Sequence, residues 1–309
     1  MLKKLAPFLS FFALFVLLSV LSPHFLTVTN LFSVVRQTAV ITVMAVGMTL
    51  IMVSGGIDLS VGSILGLAGV GGTLMMGAGL PIGLSVLGGV LLGLLAGGLN
   101  GALIAACKIP PFIVTLGTLG IYRGLTLVAT RGLPVVDLPR GFGYLAEGHL
   151  FNVVPVPMVI LVLVAVTVWY VLTYTRLGRY SYAIGSNREA VLFSGVNVNR
   201  YTLLIYMLAG ALTGLAAMME AARLITGQPT AGEGYELRVI ASVVIGGGSL
   251  RGGEGTVIGT IIGAFTMGLL NNGANLLGIS PFIQQVLIGA VIILAVTFDE
   301  YQRRKLQSE

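Results

Sequence analysis

Charge is what this sequence has least of. Asp, Glu, Lys and Arg together make up 9% of its 309 residues, where water-soluble domains carry about 25%. Such a chain has too little polar surface to cover a folded body in water. A soluble enzyme or binding module is excluded, and lipid must solvate most of the protein. Cysteine is nearly absent. Cys107 stands alone, which excludes an intrachain disulfide framework and a cysteine-rich metal site. The two histidines, His24 and His149, are far apart and read as loop residues. No metal or cofactor is expected. A Gly-x-x-x-x-Gly-Lys-Ser/Thr phosphate loop is also missing, so the chain cannot bind and hydrolyse ATP by that route. No cluster of catalytic side chains is visible either.

The formal charge of +6 does not imply a nucleic-acid partner, because the basic residues are scattered between apolar stretches and form no stripe. In a membrane protein such an excess belongs to cytoplasmic loops facing anionic lipid. The apolar residues, by contrast, reach 56%. A spanning helix needs about 20 of them in succession. Candidates are Pro7–Leu21, Thr38–Ser54, Gly62–Gly77, Ile82–Ala106, Phe112–Thr130, Val153–Tyr174, Tyr201–Ala222, Thr256–Leu270 and Pro281–Phe298. A shorter apolar run, Leu237–Gly248, makes a tenth. Lys3 and Lys4 before the first run resemble a signal peptide, but no small-x-small cleavage site follows, so an uncleaved first helix is expected.

Parity tests the count. Lys3 and Lys4 precede the first span and Arg303, Arg304 and Lys305 follow the last, so both termini should be cytoplasmic and the spans even in number. Ten spans also place Lys108, Arg176, Arg179, Arg188, Arg200 and Arg251 inside, eleven of the 17 basic residues in all. The expectation is an all-α, polytopic integral membrane protein of about ten transmembrane helices, some broken at glycines, forming a single membrane domain over residues 1–309. Loops 22–37, 131–152 and 223–236 should lie outside, the second as a small cap, and loop 175–200 inside. Glycines spaced by four (Gly93, Gly97 and Gly101; Gly210 and Gly214; Gly255, Gly259 and Gly263) mark helix faces that pack closely in lipid.

Three stretches carry more than packing. In VSGGIDLSVGS, residues 53–63, Gly55 and Gly56 end one helix, and Asp58 and Ser60 suit the cap of the next. In VVIGGGSLRGGEGTVIGT, residues 243–260, Gly246, Gly247 and Gly248 interrupt a short apolar helix in the same manner. Glycine-broken helices in both halves of a transporter point to its working centre, so both breaks are candidate hinges or gates, with capped turns as the plainer reading. The third stretch is the basic loop 175–201. Asn187 to Ser194 should form one or two helical turns, capped by Ser186 and ended by Gly195. Val191, Leu192 and Phe193 would be costly in water and fit a groove on another protein.

Among polar groups in apolar surroundings, Arg123 lies within the fifth helix, and Glu220 and Arg223 sit three apart on one helical face. Gln228, Asn271, Asn272, Asn275, Gln284 and Gln285 gather around the outer loops. These neutral hydrogen-bonding groups suit a polyol passing through. A proton or ion pathway would call for a series of buried carboxylates or histidines, which the chain lacks.

Four long stretches, MAVGMTLIMVSGGIDLSVGS (44–63), TRLGRYSYAIGSNREAVLFSGVNV (175–198), ARLITGQPTAGEGYELRVIASVVIGGGSL (222–250) and NNGANLLGISPF (271–282), are similar to the permeases of bacterial ABC importers for ribose and related simple sugars. The resemblance runs from about Leu21 to Val296. It implies a permease domain in the bacterial inner membrane with no catalysis of its own. The implied partners are a second permease copy, identical or paralogous, two ABC ATPase subunits beneath, and a periplasmic or lipid-anchored sugar-binding protein outside. Glu189-Ala190-Val191 followed by Gly195 resembles the family's Glu-Ala-Ala-x-x-x-Gly coupling segment, departing at Val191, and extends the ATPase-coupling assignment over Asn187, Arg188, Glu189, Ala190, Val191, Leu192, Phe193 and Gly195. Substrates in the same class include nucleosides, branched-chain amino acids and signalling sugar derivatives. An ion-coupled secondary transporter is the reading from another class.

Overall fold

The computed structural model describes residues 2–307. In chain order the helices are α1 (Leu2–Leu21), α2 (Val28–Val53), α3 (Val61–Gly77), α4 (Ile82–Cys107), α5 (Pro111–Thr130), α6 (Tyr144–Glu147), α7 (Val156–Tyr174), α8 (Arg176–Ser186), α9 (Arg188–Phe193), α10 (Val198–Leu224), α11 (Tyr235–Ile245), α12 (Val257–Leu276) and α13 (Pro281–Gln307). A two-stranded ribbon, His149–Leu150 with Val154–Pro155, precedes α7.

Among the described residues six helices, α2, α4, α5, α7, α10 and α12, are long and apolar enough to cross a membrane. The apolar parts of α1 (Pro7–Leu21), α3 and α13 (Pro281–Val291) are shorter. Length and composition therefore fall short of ten. The tenth candidate corresponds to α11, whose 11 residues rise about 16 Å, half of a hydrocarbon core about 30 Å thick.

Two of the expected outer loops change character. Most of 22–37 is helical, because α2 begins at Val28 with Thr27 as its cap, accepting the Asn30 N–H at 3.4 Å. Ser33, Arg36 and Gln37 lower hydropathy there without breaking the helix. Residues 223–236 do not simply lie outside. After α10 the chain runs along α3 in successive turns, with Gly227 against Thr73, Pro229 and Ala231 beside Gly66, and Gly232 against Gly62.

Glycine sets the closest helix contact. A Cβ on Gly93 would strike the Gly210 carbonyl and one on Gly97 the Tyr206 carbonyl, while one on Gly101 would lie 2.9 Å from the Leu203 Cα. Hence α4 and α10 run antiparallel with backbones touching, where packing alone must hold helices together. Gly259 and Gly263 of α12 press likewise on Gly246, just past the end of α11, and on Ser242 of α11. Gly255 is not part of that helix face. It lies in the loop before α12, at φ +153°.

Helices α2 and α12 are antiparallel along their whole length. Asn30 and Asn272 exchange amide hydrogen bonds of 2.8 and 3.1 Å at one end, and Thr49 meets Thr260 at 2.7 Å toward the other. The apolar core follows these two helices together with α10, with Val43, Met44, Met48, Ile51 and Ile205 fully buried. Segment 131–152 packs through Leu138, Phe142 and Ala146 on Met76 and Met218, at the C-terminal ends of α3 and α10. Helices α8 and α9 lie at the opposite end of α10, through the cluster of Ile184, Val191 and Val198. The cap and the basic loop are thus on opposite ends of the bundle.

Candidate functional site

Helix α9 is a short helix held out from the body. Asn187, in extended conformation, caps it by accepting the Ala190 N–H at 3.0 Å. Ser186, the cap expected from sequence, is instead the last residue of α8. Its position follows from Asn187, whose extended backbone breaks the run one residue later. Ser194 closes the helix, and Gly195 turns the chain at φ +76°, a conformation costly for any residue with a Cβ. The apolar triplet divides. Val191 is 8% exposed and anchors α9 on Ile184 and Val198, so it does not belong to an exposed docking face. Leu192 and Phe193 are 51% and 92% exposed. Arg188, Glu189 and Ala190 are exposed beside them.

The two glycine breaks meet directly beneath α9's base. The Gly253 N–H donates to the Val53 carbonyl, the last residue of α2, at 2.9 Å. A Cβ on Gly252 would lie 2.8 Å from Gly55 and 2.9 Å from Gly185, and one on Gly185 would strike Val53. Tyr182 of α8 donates its hydroxyl to the Gly255 carbonyl at 2.7 Å, and burial pushes its phenol above the usual range, keeping it a donor. Gly185 lies in the last turn of α8, two residues before Asn187, so the end of α2, the end of α8 and the loop joining α11 to α12 share one contact. Gly185, Gly252 and Gly253 were not legible as a unit. Their positive φ or missing Cβ matters only because three separate chain segments converge.

Beyond the first break, Asp58 and Ser60 are fully enclosed. Asp58 Oδ1 accepts the Ser60 N–H at 2.8 Å and the Ser60 hydroxyl at 2.6 Å. The capping work therefore falls to Asp58, and Ser60 makes no side-chain cap bond. Asn100 of α4 donates to the Ser60 hydroxyl at 2.8 Å, and Tyr122 of α5 donates to Asn100 at 3.2 Å. Gly56 lies under Tyr206 and is buried. At the second break, Gly246 is pressed on Gly259, Gly247 turns at φ +86° and Gly248 folds back on Val243.

Arg123 explains how the irregular stretch 226–234 survives inside the bundle. Irregular backbone away from water needs its carbonyls satisfied by protein. The Arg123 guanidinium donates to the carbonyls of Pro229, Ala231 (2.9 Å) and Gly62 (3.3 Å), with Glu233 3.9 Å away. The starts of α3 and α11 are thereby tied to one cation.

The polar groups expected along a pathway separate into two sets. Asn271 lines an open cavity between α2, α10, α11, α12 and α13. Asn272 is 7% exposed and committed to Asn30. Asn275 accepts from Gln284 at 2.8 Å, and Gln284, 4% exposed, ties α12 to α13. Asn272 and Gln284 are buried and Asn275 is exposed. Asn271 also donates to Gln284 at 3.2 Å, so the amide network that ties α12 to α13 reaches the cavity wall through Asn271. Gln285 is exposed on α13. Gln228 donates to Thr230 at 3.1 Å near a separate small cleft. Glu220 and Arg223 pair twice, at 2.7 and 3.0 Å, and Tyr235 adds a hydroxyl to Glu220 at 3.1 Å. Gln37, Thr38, Tyr235 and Arg238 share the cavity with Asn271 and Arg223. Arg238 was missed because it falls within an apolar run, yet a cation in such a run is itself the signal.

Helices broken at glycines within an apolar bundle, with an exposed apolar tip at one end, fit the membrane subunit of a transporter. Residues 30–296 match the family described as the branched-chain amino acid transport system / permease component, and the chain belongs to this family of multi-pass membrane permeases. It is 45% identical over 293 residues to the ribose import permease protein RbsC of Escherichia coli (strain K12), covering 93% of this chain and 90% of that one. Identity to the ribose import permease protein RbsC of Bacillus subtilis (strain 168) is 45% over 298 residues, 96% and 92% of the two chains. To the D-allose transport system permease protein AlsC of Escherichia coli (strain K12) it is 37% over 295 residues, 94% and 90%. No solved structure matches the chain.

Proposed function

We propose that this protein is the membrane permease of an ABC importer that brings a ribose-like monosaccharide across the bacterial inner membrane. The observation that carries the reading is 45% identity, spread over at least nine-tenths of both chains, to proteins named for ribose import. Two copies line the path, two ATPase subunits drive it, and an exported binding protein supplies sugar. Both termini are cytoplasmic and the chain crosses ten times. The crossing that length alone does not support is composite. Residues 227–232 descend beside α3 from Thr73 to Gly62, a rise of about 16 Å, and α11 supplies a similar rise.

Leu192 and Phe193 dock in an apolar groove of the ATPase, supported by their exposure on a helix anchored only through Val191. Displacement of α9 reaches both broken helices through Gly185, which touches the end of α2 and the Gly252–Gly253 turn. The permease then serves as the two-state element that nucleotide binding biases. Gly55, Gly56, Asp58 and Ser60 form one hinge, and Gly246, Gly247 and Gly248 the other.

The test is reconstitution of the permease with its ATPase and binding protein in proteoliposomes. Radiolabelled ribose should accumulate only with ATP inside. Accumulation by the permease alone on an ion gradient would refute the proposal and favour a secondary transporter.

A further inference from the structure

The cavity between α2, α10, α11, α12 and α13 measures about 160 Å³, and its polar lining is Gln37, Thr38, Arg223, Tyr235, Arg238 and Asn271. Its charges are unequally committed. Arg223 is held by both oxygens of Glu220, and Tyr235 bonds the same carboxylate. Arg238, one turn after Tyr235 and over its ring at 5.6 Å, has no carboxylate partner and no side-chain hydrogen bond among the described residues. A guanidinium carries five donors. Arg238 is half-buried at the wall of this open cavity, so its donors are free to meet water or a ligand that enters it.

We propose that this cavity is a sugar-hydroxyl site of the permease itself, with Arg238 as its principal contact, so that the permease selects among the sugars delivered to it. The inference rests on the import reading above. Its ligand class follows from the lining. Arg238 donates, as does the second amide hydrogen of Gln37 and of Asn271, each of which gives its first to a neighbour (Ser33 at 3.0 Å, Gln284 at 3.2 Å). Thr38, Tyr235 and the Gln37 amide oxygen accept, so the lining matches hydroxyls that do both. An anionic ligand would pair with Arg238 in surroundings of low dielectric and leave slowly, whereas a transport site must release what it binds. A neutral polyol makes the same contacts without a full ion pair.

The experiment uses the reconstituted importer. ATP-driven ribose uptake by the wild type is measured first, and its absence refutes the import reading without bearing on Arg238. Given uptake, R238A should lower sugar moved per ATP hydrolysed by about tenfold, the scale of one lost charge-assisted hydrogen bond. Hydrolysis stimulated by the loaded binding protein should stay within about twofold. R238K, which retains charge but not the planar fork, should recover part of the loss. A second measurement leaves Arg238 intact: Gln37→Cys, made with Cys107→Ser, is exposed to a polar thiol reagent. Ribose should slow that labelling, and ribonate at equal ionic strength should not. Unchanged transport per ATP in R238A overturns the proposal, as does joint loss of uptake and stimulated hydrolysis, which would mark Arg238 as structural. Protection by ribonate and not by ribose overturns the assignment of a neutral ligand.

Discussion

Gly253 donates its N–H to the carbonyl of Val53 at 2.9 Å, joining the loop before α12 to the end of α2. Gly185 fills the space beside this bond, where a Cβ would strike Val53 and lie 2.5 Å from the Gly253 nitrogen. Backbone contact of this kind transmits displacement without slack, since no flexible side chain intervenes.

Gly185→Ala is therefore expected to separate the two loops. Overpacking of this sort costs about 1–3 kcal/mol, lowering the melting temperature of the detergent-solubilised permease. The larger effect should fall on coupling: ATP hydrolysis in the assembled importer continues while sugar uptake drops. Uptake and hydrolysis falling in parallel would show that the junction only stabilises the fold.

Phe193 is 92% exposed, so Phe193→Ala should leave the permease's own stability within about 0.5 kcal/mol. If it is an anchor in the ATPase groove, truncation costs about 2–4 kcal/mol of association, read as loss of the ATPase from the purified complex. Val191→Ala should do the reverse, loosening α9 on Ile184 and Val198 and speeding its amide exchange. Retention of the ATPase by Phe193→Ala would remove this residue from the interface.

Gly195 lies in open space but at φ +76°. Its substitution by alanine introduces left-handed strain of about 1–2 kcal/mol without a clash. Gly195→Asn should be milder, because asparagine visits that region more readily. Asn187→Ala, which deletes the cap, should cost about 1 kcal/mol. Hydrogen exchange of the Ala190 amide checks both sites, and equal exchange in wild type and Asn187→Ala would contradict the capping assignment.

Asp58→Ala leaves the Ser60 N–H and hydroxyl enclosed without their acceptor, an expected loss of about 1–3 kcal/mol. Asp58→Asn retains one acceptor oxygen and should lose less. Thermal melts of the two variants decide the order. The reverse ranking would mean that charge, and not hydrogen bonding, is what the site requires.

Much of this was readable from residues alone. Scarce charge and repeated apolar runs require a membrane as solvent, and the four-residue spacing of Gly93, Gly97 and Gly101 marked the face that α4 turns to α10. Asn187 to Ser194 read as a short helix ended by Gly195 because left-handed turning is a local property, whereas its cap, expected at Ser186, falls on Asn187. Val191 could not be separated from Leu192 and Phe193, since all three are apolar and only the docking of α9 on α8 and α10 decides which faces inward. The hydropathy signal also missed the start of α2, where polar residues lie on a helix that continues regardless.

Sequence by itself determined the solvent, the helical class and the places where helices break, because hydrophobicity, glycine conformation and caps act within a few residues. Tertiary structure alone decided that Arg123 satisfies the carbonyls of an irregular segment, that Asn272 joins α12 to α2 while Asn271, bonded to Gln284 of α13, also faces a cavity, and that Gly55, Gly185 and Gly252 touch. Those relations depend on which segments, distant along the chain, are brought within a hydrogen bond of each other, and no local preference encodes that distance.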